Sequence, residues 1–171
     1  IEDVFKEETL IYHEVMRQTQ GAGLFLINAD DPYVNKLEKR KNTKTFSTTS
    51  ASADVYYEQT SRSEVCIKTS QFAQCKINNP HISGVHNFIN LANAVVLATS
   101  LYPHLQNKFC AAASTFKPTL NRSQWINFQG HEIFLDAYNA NPSSMEAALS
   151  SFVADAKAQG IAIEKLLIVI G

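Results

Sequence analysis

An apolar run, a proline-started helix and a second apolar run follow one another in the final third of the chain. Residues 132–138 read as a strand, joined at Gly130 to an earlier strand over 125–128. Asn141 can cap a helix whose first position is Pro142, because a first-turn N–H has no intrahelical partner and proline loses nothing there. Met145, Ala148, Leu149, Phe152, Val153 and Ala156 then recur on one helical face, and Gly160 closes the helix. Residues 166–170 are apolar throughout, as in a strand covered on both faces. The order predicts a βαβ unit with a right-handed crossover, hence an α/β fold and the beginning of a parallel sheet.

The rest of the chain has the material for a core. Of its 171 residues, 45% are hydrophobic, which argues against disorder. Fifteen Lys and Arg against sixteen Asp and Glu leave a net charge of −1. No overall field therefore draws nucleic acid or an anionic membrane, and an anionic ligand needs a local site. Cys66, Cys75 and Cys110 have neither zinc-ligand spacing nor an even count, and read as buried thiols in a reducing compartment, the cytoplasm. No apolar run is long enough to span a bilayer and the first residues lack a signal-peptide pattern, so no membrane insertion is expected. The chain has no initiator Met, begins at Ile1 and stops at Gly171 directly after LLIVI, which reads as an internal piece of a longer protein.

Along the chain, Val4, Phe5, Leu10, Ile11, Val15 and Met16 recur near the helical period, so a helix is expected over 4–18. Residues 24–27 form a short apolar run that ends in Asn28, Ala29, Asp30, Asp31 and Pro32, a buried strand leaving into a turn. Between Thr43 and Asn78 short β-rich runs alternate with polar turns, which predicts an antiparallel meander. Two helices follow, over 86–100 and 105–113, and FKPTLNRSQ reads as a linker between two units, 1–116 and 117–171.

Three segments carry residues suited to chemistry. In DAYNANPSSM (136–145), Asp136 sits where a strand ends and a helix is about to begin, the edge of an α/β sheet at which ligands bind. Asn141 suffices as the cap, so Asp136 and Asn139 are surplus to the turn, and a carboxylate there can accept from ribose hydroxyls. In GVHNFIN (84–90), Asn87, Asn90 and Asn93 fall three apart in an otherwise apolar helix, although Asn is a poor helix former. The amide of Asn90 suits the edge of a purine; Asn87 as a cap and His86 as an ordinary core or surface histidine are equally open. In the linker, Arg122 is either a solvated charge or, placed between two units, a guanidinium that grips phosphate.

In this order, and preceded by FLINADDP, the segments GVHNFINLANA, FKPTLNRSQ and FLDAYNANPSSMEAAL resemble the Mur ligases. DAYNANPSSM with NRSQ is similar to the branch that adds D-alanyl-D-alanine to UDP-N-acetylmuramoyl-tripeptide. The resemblance implies the remainder of a central ATPase domain followed by the start of a Rossmann-like C-terminal domain. It implies ATP and Mg2+ as cofactors, an acyl-phosphate route to the amide bond, UDP-N-acetylmuramoyl-tripeptide and D-alanyl-D-alanine as partners, and a monomeric full-length enzyme. Carried over, Asn90 would contact adenine, Arg122 the phosphates and Asp136 the ribose. His86 and Asn87 would support that pocket, and Asn139 would lie near the junction with substrate.

Two departures accompany the resemblance. The family's G-x-x-G-K-[ST] phosphate loop, and its magnesium-holding Glu and His, would lie before Ile1, so these residues alone are not expected to turn over. In VFKEETLIY the family's carbamylated lysine, a magnesium ligand, aligns with Glu8. Either Glu8 substitutes a permanent carboxylate, or the site is degraded, or a small shift makes Lys6 the equivalent, or both residues belong to a solvated helix face. Another Mur-type or folylpolyglutamate ligase is an alternative, which the DAYNANP segment disfavours. A catalytically dead nucleotide-binding module is the alternative from a different class.

Overall fold

The computed structural model describes residues 5–7, 9–119, 121–138 and 140–170. Residues 5–7 are helical, and after a turn at Thr9, whose hydroxyl donates to the Phe5 carbonyl at 2.7 Å, helix α1 runs Leu10–Gln18. A five-stranded sheet follows in sequential order: β1 (Phe25–Asn28), β2 (Thr43–Ser47), β3 (Val55–Ser61), β4 (Glu64–Thr69) and β5 (Cys75–Asn78). The expected antiparallel meander holds for β3, β4 and β5, but β1, β2 and β3 run parallel to one another. Connection length explains this for β1 and β2, while β3 begins beside the end of β2, the two pairing at Phe46–Val55 and Ser47–Tyr56, so the short link over residues 48–54 need not return along β2. The segment between β1 and β2 includes a 3-10 turn over Val34–Lys36 and is long enough to return the chain to the same end of the sheet, whereas the tight β3–β4 connection can only reverse direction.

Helices α2 (Val85–Leu101) and α3 (Gln106–Thr115) cover one face of this sheet. Phe88, Ala92, Val95 and Val96 are buried at i, i+4, i+7 and i+8 and meet Val55, Tyr57, Val65, Ile67 and Ile77. Full burial of a side chain such as Phe88 contributes about 1.5–3 kcal/mol. The fully buried Asn79 ties α3 down, its amide donating to the carbonyls of Ala113 at 2.8 Å and Phe116 at 2.7 Å. Cys75 and Cys110 are joined in a disulfide between β5 and α3, which corrects the expectation of three thiols and removes its support for a reducing compartment. Their separation of 35 residues hides what the packing does, which is to bring the two Cα atoms to 6.4 Å, within bridging range. Cys66 is the buried free thiol.

Past the linker, β6 (Gln124–Phe128) and β7 (His131–Leu135) form a separate antiparallel hairpin. Its turn residues Gln129 and Gly130 have φ of 51° and 82°, the left-handed pair that a two-residue hairpin turn requires. Helix α4 (Pro142–Ala158) starts as expected, with the Asn141 side chain accepting from Ser144 N at 2.8 Å. It packs Phe152 against Trp125 and Phe134 at ring-centroid distances of 5.6 and 5.7 Å. The expected last strand does not form. Residues 166–170 join no ladder, and Leu167 and Val169 are 83% and 87% exposed. Apolarity favours burial but supplies no neighbour, and neither edge of the hairpin takes up this segment. The parallel βαβ unit expected as the start of a Rossmann-like domain is therefore not present among the described residues. No described helix is long and apolar enough to cross a membrane.

Candidate functional site

Asn87, Asn90 and Arg122 open onto one pocket of about 460 Å³ between α2 and the linker. Asn87, Asn90, Leu91 and Ala94 lie on one helical face, at i, i+3, i+4 and i+7. Ile82 and Ser83 extend this wall before α2, and Phe116, Pro118, Thr119 and Arg122 form the opposite one. Apolar walls with a few polar groups are what a small-molecule site presents.

The three helical asparagines have three different surroundings. Asn93 accepts from the Tyr57 hydroxyl at 2.7 Å, so its amide serves the core, and burial pushes the Tyr57 phenol well above its usual range. Asn87 does not cap the helix: Gly84 occupies the N-cap with φ 85°, and the Asn87 amide donates to the Ser83 carbonyl at 2.8 Å. Asn90 is exposed at the pocket, and its amide makes no hydrogen bond among the described residues. The desolvation cost of an orphaned amide does not arise there, and the group is open to a ligand.

Asp136 directly follows β7 and lies outside the pocket wall, yet two residues tie it to that wall. Ser123, next to Arg122, donates its hydroxyl to Asp136 Oδ2 at 2.7 Å, and Ala137 N donates to the Asn121 carbonyl at 3.2 Å. The linker thus folds onto the end of β7, with Asn121 and Ser123 in left-handed conformations at φ 67° and 47°. His86, adjacent to Asn87, is half-buried. Burial lowers its pKa, and the nearby Asp136 charge opposes that shift in part. A neutral imidazole at neutral pH follows. The Arg122 guanidinium lies 3.4 Å from the centre of the exposed Tyr138 ring, a cation–π contact that holds it beside the pocket.

Sequence reasoning placed Asn87, Asn90, Arg122, His86 and Asp136 in the site; the first three share the pocket and the last two stand at its border. Asn139 and Glu8 lie outside the described residues. Lys6 is exposed in the helical residues before α1, and the site described above contains no residue from that region. No group of three or more His, Cys, Asp or Glu among the described residues could hold a metal ion. Ser83, Ser123, Tyr138 and Asp155, all tied to the site or to its supports, carry no local signal beyond Ser123 and Tyr138 falling within the segments singled out.

No family model and no curated protein sequence matches the chain. Solved structures do. The fold is an α/β arrangement of mixed sheet and helices like the central domain of Mur-type ligases. The D-alanyl-D-alanine-adding ligase of Acinetobacter baumannii, which acts on UDP-N-acetylmuramoylalanyl-D-glutamyl-2,6-diaminopimelate, superposes with TM-score 0.60 at 22% identity, over 77% of this chain and 30% of that one. A pseudomurein peptide ligase type C from Methanothermus fervidus gives 0.62 at 17% identity, over 78% of this chain and 35% of that one. A UDP-N-acetylmuramoyl-L-alanyl-D-glutamate–2,6-diaminopimelate ligase gives 0.56 at 18%, over 76% and 28%. The chain thus spans about a third of the length of the ligases it resembles.

Proposed function

We propose that this chain is part of an ATP-dependent amide-bond ligase that adds D-alanyl-D-alanine to UDP-N-acetylmuramoyl-tripeptide in the cytoplasm, the intact enzyme acting as a monomer. The observation that carries the reading is the pocket between α2 and the linker, where an open amide, Asn90, faces a guanidinium, Arg122. In this reading residues 1–116 close the central ATP-binding domain and residues 117–171 begin the C-terminal one.

Asn90 meets the adenine edge with a donor and an acceptor, and Asp136, its carboxylate oriented by Ser123, accepts from ribose hydroxyls. Arg122 leaves the Tyr138 face to neutralise phosphate charge, while the neutral His86 and the Ser83-bound Asn87 support the pocket. Asn139 stands at the substrate side. A tripeptide carboxylate oxygen attacks the γ-phosphorus of ATP, ADP leaves, and the amine of D-alanyl-D-alanine then displaces phosphate from the acyl carbon. None of these residues acts as a nucleophile; their work is positioning and charge neutralisation. Magnesium is implied by the resemblance, with Glu8 or Lys6 as the position to test, but the described residues form no metal site and no step is assigned to one.

Equilibrium binding of ATP to the intact protein, with the segment before Ile1 that would carry the phosphate loop, tests the reading. Asn90→Ala and Asp136→Ala should each weaken ATP by about tenfold, the scale of one ligand hydrogen bond left unmade. Unchanged affinity in both folded variants would remove the nucleotide site from this pocket.

A further inference from the structure

Helix α4 carries a carboxylate that is 5% exposed and belongs to none of the residues assigned to the ligand. Asp155 accepts at Oδ1 from Arg62 Nε at 2.8 Å, and at Oδ2 from Trp125 Nε1 at 2.7 Å and from the Ser83 hydroxyl. These donors come from three places: the β3–β4 turn, strand β6 and the connection between β5 and α2. Buried charge persists only when its lone pairs are filled, and here the filling groups come from both sides of the linker.

We propose that Asp155 is a positioning residue that seats the hairpin–α4 unit on the central sheet and thereby sets the spacing of the two pocket walls. Ser83 lines the pocket and its carbonyl holds the Asn87 amide, so one wall is referenced to this carboxylate. Trp125 lies three residues beyond Arg122, on the strand that continues the linker, so the other wall is referenced to it as well. The seat is close-packed: a Cβ built on Gly84 would stand 2.7 Å from Ser151 Oγ of α4 and 2.8 Å from His86 Cε1, so a methyl group there would require one of these side chains to move. The link to nucleotide affinity rests on the function proposed above; the seat itself does not.

Trp125 is the single tryptophan of the sequence, so its emission reads the seat directly. In the full chain, Asp155→Asn keeps the side-chain volume but loses the Arg62 pair and one acceptor. It should red-shift Trp125 emission, raise its quenching by iodide, and weaken ATP about tenfold at unchanged far-UV dichroism, with Asp155→Glu restoring part of the affinity. A folded Asp155→Asn protein with wild-type emission and affinity overturns the proposal. Should Asp155→Asn fail to fold, Arg62→Gln decides: it removes the charge paired with Asp155, keeps the Ser83 and Trp125 bonds and alters no residue of the pocket wall, and a several-fold loss of ATP affinity at an unchanged melting temperature supports positioning, whereas no loss overturns it. Should the intact protein, with the segment before Ile1, bind no ATP, the nucleotide reading fails by itself, and the seat stands or falls on Trp125 emission and quenching in the same variants.

Discussion

Asp30 shows how a single side chain at the end of β1 is fixed by groups that a sequence does not align with it. Its oxygens accept from the hydroxyls of Ser47, Thr48 and Thr49 and from Thr48 N at 2.7 Å. Burial alone pushes this carboxyl up, but the hydrogen bonds to its ionised form win and hold it at about 2. The folded pKa is thus depressed below the ordinary 3.8, so the unfolded state binds more protons between those values. The stabilisation is fully present above pH 3.8 and is lost as the pH falls towards 2. Asp30→Asn should therefore flatten the melting-temperature profile across that window, and a profile parallel to wild type would refute the assignment. Arg122 offers a second residue-scale test. Its stack on Tyr138 competes with any phosphate, so Tyr138→Ala should raise the affinity for inorganic triphosphate, measured by calorimetry, by a few-fold, a gain set by a contact of about 0.5–1 kcal/mol. An unchanged or weaker affinity would mean the ring helps to present the guanidinium instead.

Elements were legible where their signals are local. The cap at Asn141, Pro142 at the first helical position and the Gln129–Gly130 turn act within a few residues, and α2 and α4 lie where the periodicity puts them. Asn141→Ala should accordingly cost about 1 kcal/mol in urea denaturation, while the same change at the exposed mid-helix Ser150 should cost nothing. What failed was information that belongs to pairs of distant segments. The Thr43–Ser47 run is β-rich in either direction, and only the path of residues 29–42 makes it parallel to β1. The same holds for Cys75 with Cys110, and for Asp155, which carries no local signal of the Arg62, Ser83 and Trp125 groups that surround it. Residues 166–170 are the converse, a strong local β signal with no partner. In the candidate site the asparagine triplet was readable, but not its division into a core amide at Asn93, a braced one at Asn87 and an open one at Asn90.

At the scale of the whole molecule the apolar core is unevenly placed, and this bears on how the pocket can move. The main cluster runs from Phe46 to Ala113 and includes no residue of β6, β7 or α4. Those three elements instead hold a partly buried aromatic trio, Trp125, Phe134 and Phe152, the buried Ala156, and the polar seat at Asp155. A polar seat between units is directional and breaks over a short displacement, whereas the sheet and α2 resist opening through area. Native-state hydrogen exchange in sub-denaturing urea should therefore separate two classes of amide. Those of Tyr57 and Ile67, paired buried residues of the central strands, should exchange only by global unfolding, while those of Ile133 and Phe134 should exchange through an opening at least about 2 kcal/mol easier. Asp155→Asn should lower the second free energy much more than the first, because the carboxylate's donors hold the units together and leave the strands' own ladders untouched. One common exchange free energy for both classes would instead make the chain a single cooperative body, with pocket walls that cannot separate short of unfolding.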